Sequence, residues 1–254
     1  MSKTTFIRKI QVYLGAKIRD VNAELLYRWF SWFKSQPLEV TNKSAIIFSP
    51  HQDDETLGCG GMIALKRSNN IPVMVVFLTD GKYGRPEWIE PEEIVDFRQQ
   101  EAKVALCNLG IDSAQTSFLN HTDGSLSQLL EQKNQEVINN ILEVLTSFKP
   151  GEVYVPHSKD GHPDHEATYK LVKLALLRSG LKADIIQYPI WLFWQNPLSS
   201  SKKYHDIANA YRISIKAVKH LKQKAIISYK SQIPNLPSSL LNSFFSDSEI
   251  FFKS

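Results

Sequence analysis

The sequence has little of what stabilises secreted domains or membrane spans. Its 254 residues include only two cysteines, Cys59 and Cys107, which provide neither a disulfide framework nor a CxxC metal site. It also lacks an uninterrupted apolar run of about 18 residues, the length that crosses a bilayer. We therefore expect no transmembrane segment, and a location in the cytoplasm, either free or peripheral to a membrane.

A general excess of basic residues is absent as well. The net charge is +4, but residues 1–36 contain seven lysines and arginines against two acidic residues, a net charge of +5, so the other 218 residues sum to −1. A nucleic-acid-binding domain carries its basic surface on the domain itself. We therefore expect no nucleic-acid partner.

The N-terminal segment differs in pattern from the rest of the chain. Apolar residues recur at helical spacing from Phe6 to Phe33, with basic residues between them, and Pro37 follows. We interpret residues 1–38 as a basic amphipathic helical extension and residues 39–254 as one domain. The extension could pack on that domain or on a second copy in a homo-oligomer. Alternatively, residues 1–36 could make peripheral contact with a membrane.

Short apolar runs alternate with helical patterns in the rest of the chain. The predicted strands are residues 44–49, 73–78, 117–120, 152–156 and 183–191, and the predicted helices between them are residues 56–66, 91–110, 132–148 and 166–178. Compact apolar runs are typical of parallel strands that are buried on both faces. The alternation predicts an α/β fold with a Rossmann-like, doubly wound, mainly parallel sheet in a three-layer α/β/α arrangement.

Two motifs rich in histidine and carboxylate follow strands of this sheet, at the edge where such folds bind ligands. His51 and Asp54 lie three residues apart in "HQDDE", and His162 and His165 have the same spacing in "HPDH". Imidazole and carboxylate suit zinc, and one histidine of the second pair would complete a catalytic set of three ligands. The other histidine could stabilise an oxyanion or act as an acid, and Asp53 could accept a proton from water.

Further carboxylates adjoin these motifs. Asp80 follows the second predicted strand, and Asp160 and Asp164 lie in and beside "HPDH". Each can be an ordinary loop residue, with Asp164 as a cap of the helix predicted from residue 166, or each can orient a ligand histidine by a hydrogen bond. For Glu55 we expect a structural role, such as a hydrogen bond to its own loop or helix.

Taken together, these motifs resemble the PIG-L/LmbE family of zinc-dependent N-deacetylases. The resemblance rests on "HQDDE" with the following "GCGG" (58–61), and on "HPDH". Further segments match family elements in family order: "TDG" (79–81), "RQQEAKVALCNLG" (98–110), "DGSL" (123–126) and "KAIISYKSQ" (224–232). Gln52 departs from the family, which often has proline there. The match spans residues 44–232 and leaves out the N-terminal extension.

The resemblance implies specific roles for the site residues. Zinc would bind His51, Asp54 and His165. Asp53 would act as general base, and His162 as oxyanion stabiliser or acid.

It also implies a substrate class. Arg98 would lie near the substrate or the departing acetate, and the substrate would be an N-acetylated amino sugar, such as an N-acetylglucosamine glycoside or glycolipid, either free or lipid-linked. Zinc is the expected metal, although iron or manganese could bind similar donors. The alternative is a non-catalytic, metal-containing module that binds a sugar or glycolipid. A two-metal phosphoesterase would need more ligands than these loops provide.

Overall fold

The computed structural model describes residues 3–194 and 210–253, and it describes side chains from residue 15 onward. Phe6 and the other side chains of the predicted extension before that position lie outside the described residues. In the described part, an eight-stranded sheet lies between helices on both faces. The predicted three-layer α/β fold with a mainly parallel sheet is therefore confirmed.

The sheet is mixed. Its strands are β1 Gln36–Pro37, β2 Ala45–Ser49, β3 Val73–Thr79, β4 Thr116–His121, β5 Glu152–Pro156, β6 Asp184–Tyr188, β7 Ala210–Ser214 and β8 Ser248–Lys253. Their order across the sheet is β1-β7-β8-β6-β5-β2-β3-β4. Neighbours from β6 to β4 are parallel, as are β1 and β7, whereas β8 runs antiparallel to both β6 and β7.

The helices alternate with these strands. They are α1 Lys3–Trp29, α2 Asp54–Ser68, α3 Ile94–Asn108, α4 Leu126–Glu131, α5 Gln135–Phe148, α6 Pro163–Ser179, α7 Lys219–Ile227 and α8 Ser238–Phe244. A π-helical turn, Phe30–Lys34, continues α1, and short 3-10 turns occupy Lys82–Gly84, Ser113–Gln115 and Ile233–Asn235.

The central strands are apolar on both faces because helices cover both. In β2, Ala45 and Ile47 belong to a core shared with α2, α3, α7 and α8, whereas Ile46 and Phe48 belong to a core shared with α4, α5 and α6. All four side chains are fully buried. The two-residue repeat of a strand thus divides one apolar run between two cores.

The direction of winding reverses between β2 and β5. From β2 the chain builds outward through β3 and β4, and it then crosses to β5 on the other side of β2 and continues to β6. In open α/β sheets, a ligand crevice forms at such a reversal, beyond the carboxyl ends of the strands. The loops that contain "HQDDE" and "HPDH" follow these two adjacent strands.

One predicted strand is too long. Residues 183–191 were expected to be extended, but β6 ends at Tyr188. The backbone N–H groups of Ile190, Trp191 and Leu192 all donate to Oδ1 of Asp160. Three successive donors that converge on one carboxylate cannot continue a strand ladder, so the prediction is wrong at its C-terminal end.

Helix α1 packs against α8 and the end of the sheet through one of its faces. The Tyr27 hydroxyl is 2.6 Å from Oγ of Ser246 and donates to the carbonyl of Ser248 at 2.7 Å. Phe30, which is fully buried, packs against Phe193. Within the described residues, no helix is long and apolar enough to cross a membrane.

Candidate active site

Polar loops follow four neighbouring parallel strands at one edge of the sheet. The loop after β2 contains residues 51–53 and leads into α2, and the loop after β5 contains residues 157–162 and leads into α6. Asp80 follows β3, and Asp123 follows β4. Because the carboxyl ends of parallel strands lie at one edge, these loops form the walls of one site.

His51, Asp54 and His165 come together there. Oδ2 of Asp54 lies 3.1 Å from Nδ1 of His51 and 3.2 Å from Nε2 of His165. One ligand atom from each residue lies within 4.8 Å of the others. Ligand atoms around a tetrahedral zinc ion are about 3.3 Å apart when the metal–ligand distances are about 2.0–2.1 Å. The donor set and its spacing therefore fit zinc.

The state of His165 supports this fit. Its Nδ1 lies 2.7 Å from Oδ2 of the fully buried Asp160. Its Nε2 is buried and, although close to Asp54, has no hydrogen bond of acceptable geometry among the described residues. A proton on Nδ1, donated to Asp160, directs the lone pair of Nε2 into the site. A bound cation would satisfy this nitrogen, which is otherwise costly to bury.

Two carboxylates hold His51 in the same manner. Nε2 of His51 is 3.1 Å from Oδ1 of Asp123 and 3.4 Å from Oδ2 of Asp164. Its Nδ1 then remains directed toward Asp54. Asp123 was not among the residues expected in the site, although it begins the family-like segment "DGSL".

Asp164 and Asp80 have structural contacts that sequence spacing did not show. Helix α6 begins at Pro163, so of the two roles considered for Asp164 the cap of a helix at residue 166 is not found. Its carboxylate instead accepts the backbone N–H groups of Gly124 and Leu126, at 2.8 and 3.1 Å. Oδ1 of Asp80 accepts the N–H of Asp123 at 3.0 Å. Both carboxylates therefore fix the loop that carries Asp123 against His51.

Asp53 has an unusual backbone. Its φ is 144°, a value that costs a non-glycine residue about 1–3 kcal/mol. Its N–H donates to Oε2 of Glu55 at 3.1 Å. Oε1 of the fully buried Glu55 accepts the hydroxyls of Thr56 and Tyr229, each at 2.5 Å. Glu55 thus has the structural role that was expected: it holds the strained residue next to the candidate metal ligands.

Arg98 is 3% exposed and binds the same segment from the other side. Its guanidinium donates to the carbonyls of Gly81 and Gln52, at 2.8 and 2.7 Å, and Nη2 lies 3.4 Å from Oδ1 of Asp53. Nε2 of Gln52 donates to the carbonyl of Thr79 at 2.7 Å. These bonds join the loops after β2 and β3. The placement of Arg98 near the substrate or acetate stays a prediction.

His162 lies beside the imidazoles of His51 and His165. Its ring centroid is 5.0 Å from that of His51 and 4.7 Å from that of His165. When no metal is bound, the carboxylates around His51 and His165 favour their protonated rings, and burial together with this positive charge lowers the pKa of His162 to about 4. A cation between the ligands would act in the same direction. His162 is therefore a neutral imidazole with one N–H to donate at neutral pH.

Charge balance distinguishes the two adjacent aspartates. Burial and the neighbouring charge of Asp54 raise the pKa of Asp53 to about 7, although Arg98 opposes the shift. Burial also acts to raise the pKa of Asp54, but His165 and His51 outweigh it and lower that pKa. Burial lowers the pKa of His165, whereas Asp54 and Asp160 together raise it to about 9. Asp54 is therefore the carboxylate that faces positive charge, as a ligand does.

Known proteins are similar to this chain in sequence across the segment that contains both motifs. The family profile described as "PIG-L: GlcNAc-PI de-N-acetylase" matches residues 46–176. Over 139 residues the chain is 31% identical to a probable N-acetyl-alpha-D-glucosaminyl L-malate deacetylase 2 of Bacillus subtilis, which covers 52% of this chain and 60% of that protein. It is 26% identical over 200 residues to the diacetylchitobiose deacetylase of Thermococcus kodakarensis, with 76% of this chain and 71% of the relative covered.

A solved structure shares the fold. The N,N'-diacetylchitobiose deacetylase from Pyrococcus horikoshii, complexed with its inhibitor MPG, superposes with a TM-score of 0.63 over 84% of each chain, at 23% identity. The matched region spans about 60% of the length of the Bacillus subtilis relative. The profile match nevertheless extends over more than half of the chain and contains both "HQDDE" and "HPDH". The chain therefore belongs to the PIG-L family.

Proposed function

We propose that the protein is a metal-dependent N-deacetylase that removes an acetyl group from an N-acetylated amino sugar. One observation carries the proposal: two imidazole nitrogens and one carboxylate oxygen converge within 4.8 Å at the reversal of the sheet. The names of the relatives, deacetylases of an N-acetylglucosaminyl malate and of diacetylchitobiose, support the reaction class.

His51, Asp54 and His165 would hold the ion, and zinc suits their donor atoms best. When bound, the ion would supply a Lewis acid that makes water more acidic and polarises the amide carbonyl. The carboxylates behind the two imidazoles keep each ring in the tautomer that a ligand requires.

Asp53 would be the general base. It adjoins Asp54 in the chain but does not belong to the groups of donor atoms that could hold an ion in the described residues. Two contacts fix its position: its N–H donates to Glu55, and the Arg98 guanidinium lies beside its carboxylate. Its carboxylate takes a proton from the attacking water as the oxygen bonds to the carbonyl carbon.

His162 would stabilise the oxygen that becomes negative. A neutral imidazole at the edge of the site can donate its N–H to this oxygen, and such a preformed donor typically contributes about 10²–10³-fold to the rate. The proton held by Asp53 then passes to the departing nitrogen as the C–N bond breaks. The products are acetate and the free amino sugar.

The substrate class is the finer part of the proposal. We propose an N-acetylglucosamine glycoside or glycolipid, because both relatives named above act on N-acetylglucosamine units. A lipid-linked member of this class would suit an enzyme whose residues 1–36 contact a membrane. One simple measurement distinguishes this enzyme from the alternative, a module that binds sugar without turnover.

That measurement is acetate release from a panel of N-acetylglucosamine glycosides, soluble and lipid-linked, with and without a chelator. We expect chelator-sensitive release, and a loss of about 10²–10⁴-fold in kcat for Asp53→Asn with the metal content retained. Asp184→Asn, at an exposed carboxylate paired with Lys43, is the matched control. Sugar binding without acetate release would favour the binding module, and near-full activity of Asp53→Asn would refute the base.

A further inference from the structure

An exposed apolar stripe runs along the N-terminal helix. Ile18, Val21 and Leu25 of α1 are 60–62% exposed, and Trp32 and Phe33 of the π-helical turn are 70% and 75% exposed. Trp29, between them, is 39% exposed. Other large exposed apolar residues of the described part are scattered over separate elements: Tyr83, Trp88, Val104, Leu177 and Ile227. The stripe is therefore a concentrated patch and not ordinary surface variation.

Helical geometry puts these residues on one face. Ile18, Val21, Leu25, Trp29 and Trp32 follow one another at intervals of three or four residues. At about 100° per residue, the four residues of α1 among them fall within an arc of roughly 80° around the helix axis, as in an amphipathic helix, and Trp32 follows in the π-helical turn. An apolar face of this kind is typical of a helix that packs against another apolar surface.

The opposite face is already buried in this protein. Ala23 and Phe30 are 3% and 1% exposed, and the Tyr27 hydroxyl binds Ser246 and Ser248. Asp20 accepts Nε1 of Trp194 at 2.9 Å. Turning the stripe inward would break these contacts. Its partner therefore lies outside the described part of this domain.

Charge identifies the kind of partner. Residues 1–36 have a net charge of +5, while the rest of the chain sums to −1. Lys17, Arg28 and Lys34 are exposed in this segment, and Arg28 forms a surface ion pair with Glu24 at 2.8 Å, which solvent screens. A second copy that paired its own stripe here would bring two such basic segments together, whereas an anionic surface would complement the charge. Tryptophan also prefers the boundary between lipid and water.

We propose that this stripe docks the protein on an anionic lipid surface, with the C-terminal half of α1 lying in the plane of the interface. Aromatic and aliphatic side chains enter the boundary of the bilayer, and the basic side chains contact lipid phosphates. The proposal is independent of the deacetylase reaction, because the stripe shares no residue with the metal site.

Helix α1 is connected to the candidate active site through the segment that follows β6. Trp194, which binds Asp20 of α1, follows the segment whose N–H groups bind Asp160, and Asp160 holds His165. A docked enzyme would therefore hold residues 189–194 against the face of α1 that points away from the lipid, about 10 Å from it, which is the diameter of a helix. Turnover of a soluble glycoside would not require lipid.

The test is co-sedimentation of the whole protein with vesicles. Vesicles of phosphatidylcholine alone are compared with vesicles that also contain phosphatidylglycerol, at low and high salt. The stripe variant is Ile18→Gln/Leu25→Gln/Trp32→Gln. The matched control, Val104→Gln/Leu177→Gln/Ile227→Gln, changes three equally exposed apolar residues on other elements. Exposed positions are used so that both variants fold, which thermal unfolding checks.

The wild type and the control should bind anionic vesicles, more weakly at high salt. The stripe variant should lose at least about tenfold in affinity, since three apolar side chains no longer leave water. Equal binding by the stripe variant, or no binding by the wild type, would overturn the proposal. The proposal would also be overturned if analytical ultracentrifugation showed that the wild type is a dimer and the stripe variant a monomer, and neither protein bound vesicles. Acetate release from soluble glycosides should be the same for all three proteins, so a failure of the deacetylase proposal would be distinguishable.

Discussion

Each of the two candidate ligand histidines, His51 and His165, has a carboxylate on its nitrogen away from Asp54. Asp160 is the most constrained of these carboxylates: it is fully buried, accepts Nδ1 of His165, and receives the N–H groups of Ile190, Trp191 and Leu192. Several donors offset the cost of burying its charge. The backbone thus fixes the carboxylate, and the carboxylate fixes the ring. A change at Asp160 should therefore act on metal binding through the orientation of His165.

We predict that Asp160→Asn weakens zinc binding by about 10–100-fold, because an amide oxygen is a weaker acceptor for the imidazole N–H and the amide group adds donors that face other donors. A zinc titration against a competing chelator measures the change in Kd. Asp184→Asn, at an exposed carboxylate, is the control. An unchanged Kd in a folded Asp160→Asn protein would show that Asp160 supports only the loop.

The conformation of Asp53 could not be predicted from the sequence. "HQDDE" shows two adjacent carboxylates, but nothing in it indicates a φ of 144° at the first of them. The strain persists because Glu55 binds the N–H of Asp53 and is itself held by Tyr229, which lies 174 residues further along the chain. Local spacing identified the residue types, whereas distant contacts set their directions.

Among the secondary-structure elements, α2, α7 and β8 are joined by a buried ion pair. Nζ of Lys222 in α7 lies 2.7 Å from Oε1 of Glu249 in β8, and it also donates to the carbonyl of Leu57. Glu249 accepts the N–H groups of Gly61 and Met62 in α2. Both charged side chains are nearly fully buried. Removal of one partner leaves an uncompensated charge in the core beneath the candidate site.

We predict that Lys222→Met lowers the free energy of unfolding by about 3–5 kcal/mol, as breaking a buried ion pair typically does. Urea denaturation measures the loss. Lys222→Met/Glu249→Gln, which buries no charge, should recover part of it. Lys219→Met is the matched control, because Lys219 pairs with Asp247 at the surface, where solvent screens the charges, and its urea midpoint should stay near the wild-type value. Equal effects of the two single substitutions would contradict this account.

The apolar pattern predicted the strands from β6 to β4 and missed β1, β7 and β8, which form the other end of the sheet. β2, β3 and β5 were predictable because continuous apolar runs, such as residues 73–78, are buried on both faces. β1 has two residues, and β8 enters the sheet antiparallel between β6 and β7, which depends on contacts between distant segments. Apolar periodicity indicates which side chains of a segment are buried, but it does not indicate with which strand that segment pairs.

At the scale of the whole molecule, the site exists only in the folded chain. Its candidate metal ligands are at positions 51, 54 and 165, and the carboxylates that support them come from the loops after β4 and β5. Two sequence motifs about 110 residues apart therefore meet only when β2 and β5 pair. A metal held by such a site binds the folded state and not the unfolded chain, so its binding free energy adds to stability.

This linkage makes a prediction for the complete protein. Zinc at a concentration of 100 times its Kd should add about 2.7 kcal/mol to the free energy of unfolding, and a chelator should therefore lower Tm by about 5–10 °C for a chain of this size. Scanning calorimetry with chelator, and after addition of zinc, iron or manganese, measures the shift and orders the metals. His165→Ala should show one Tm under all these conditions, because it lacks the ligand nitrogen that is otherwise left unsatisfied. A wild-type Tm that ignores both chelator and metals would refute the ligand set. A shift that persists in His165→Ala would place the stabilising metal at another site.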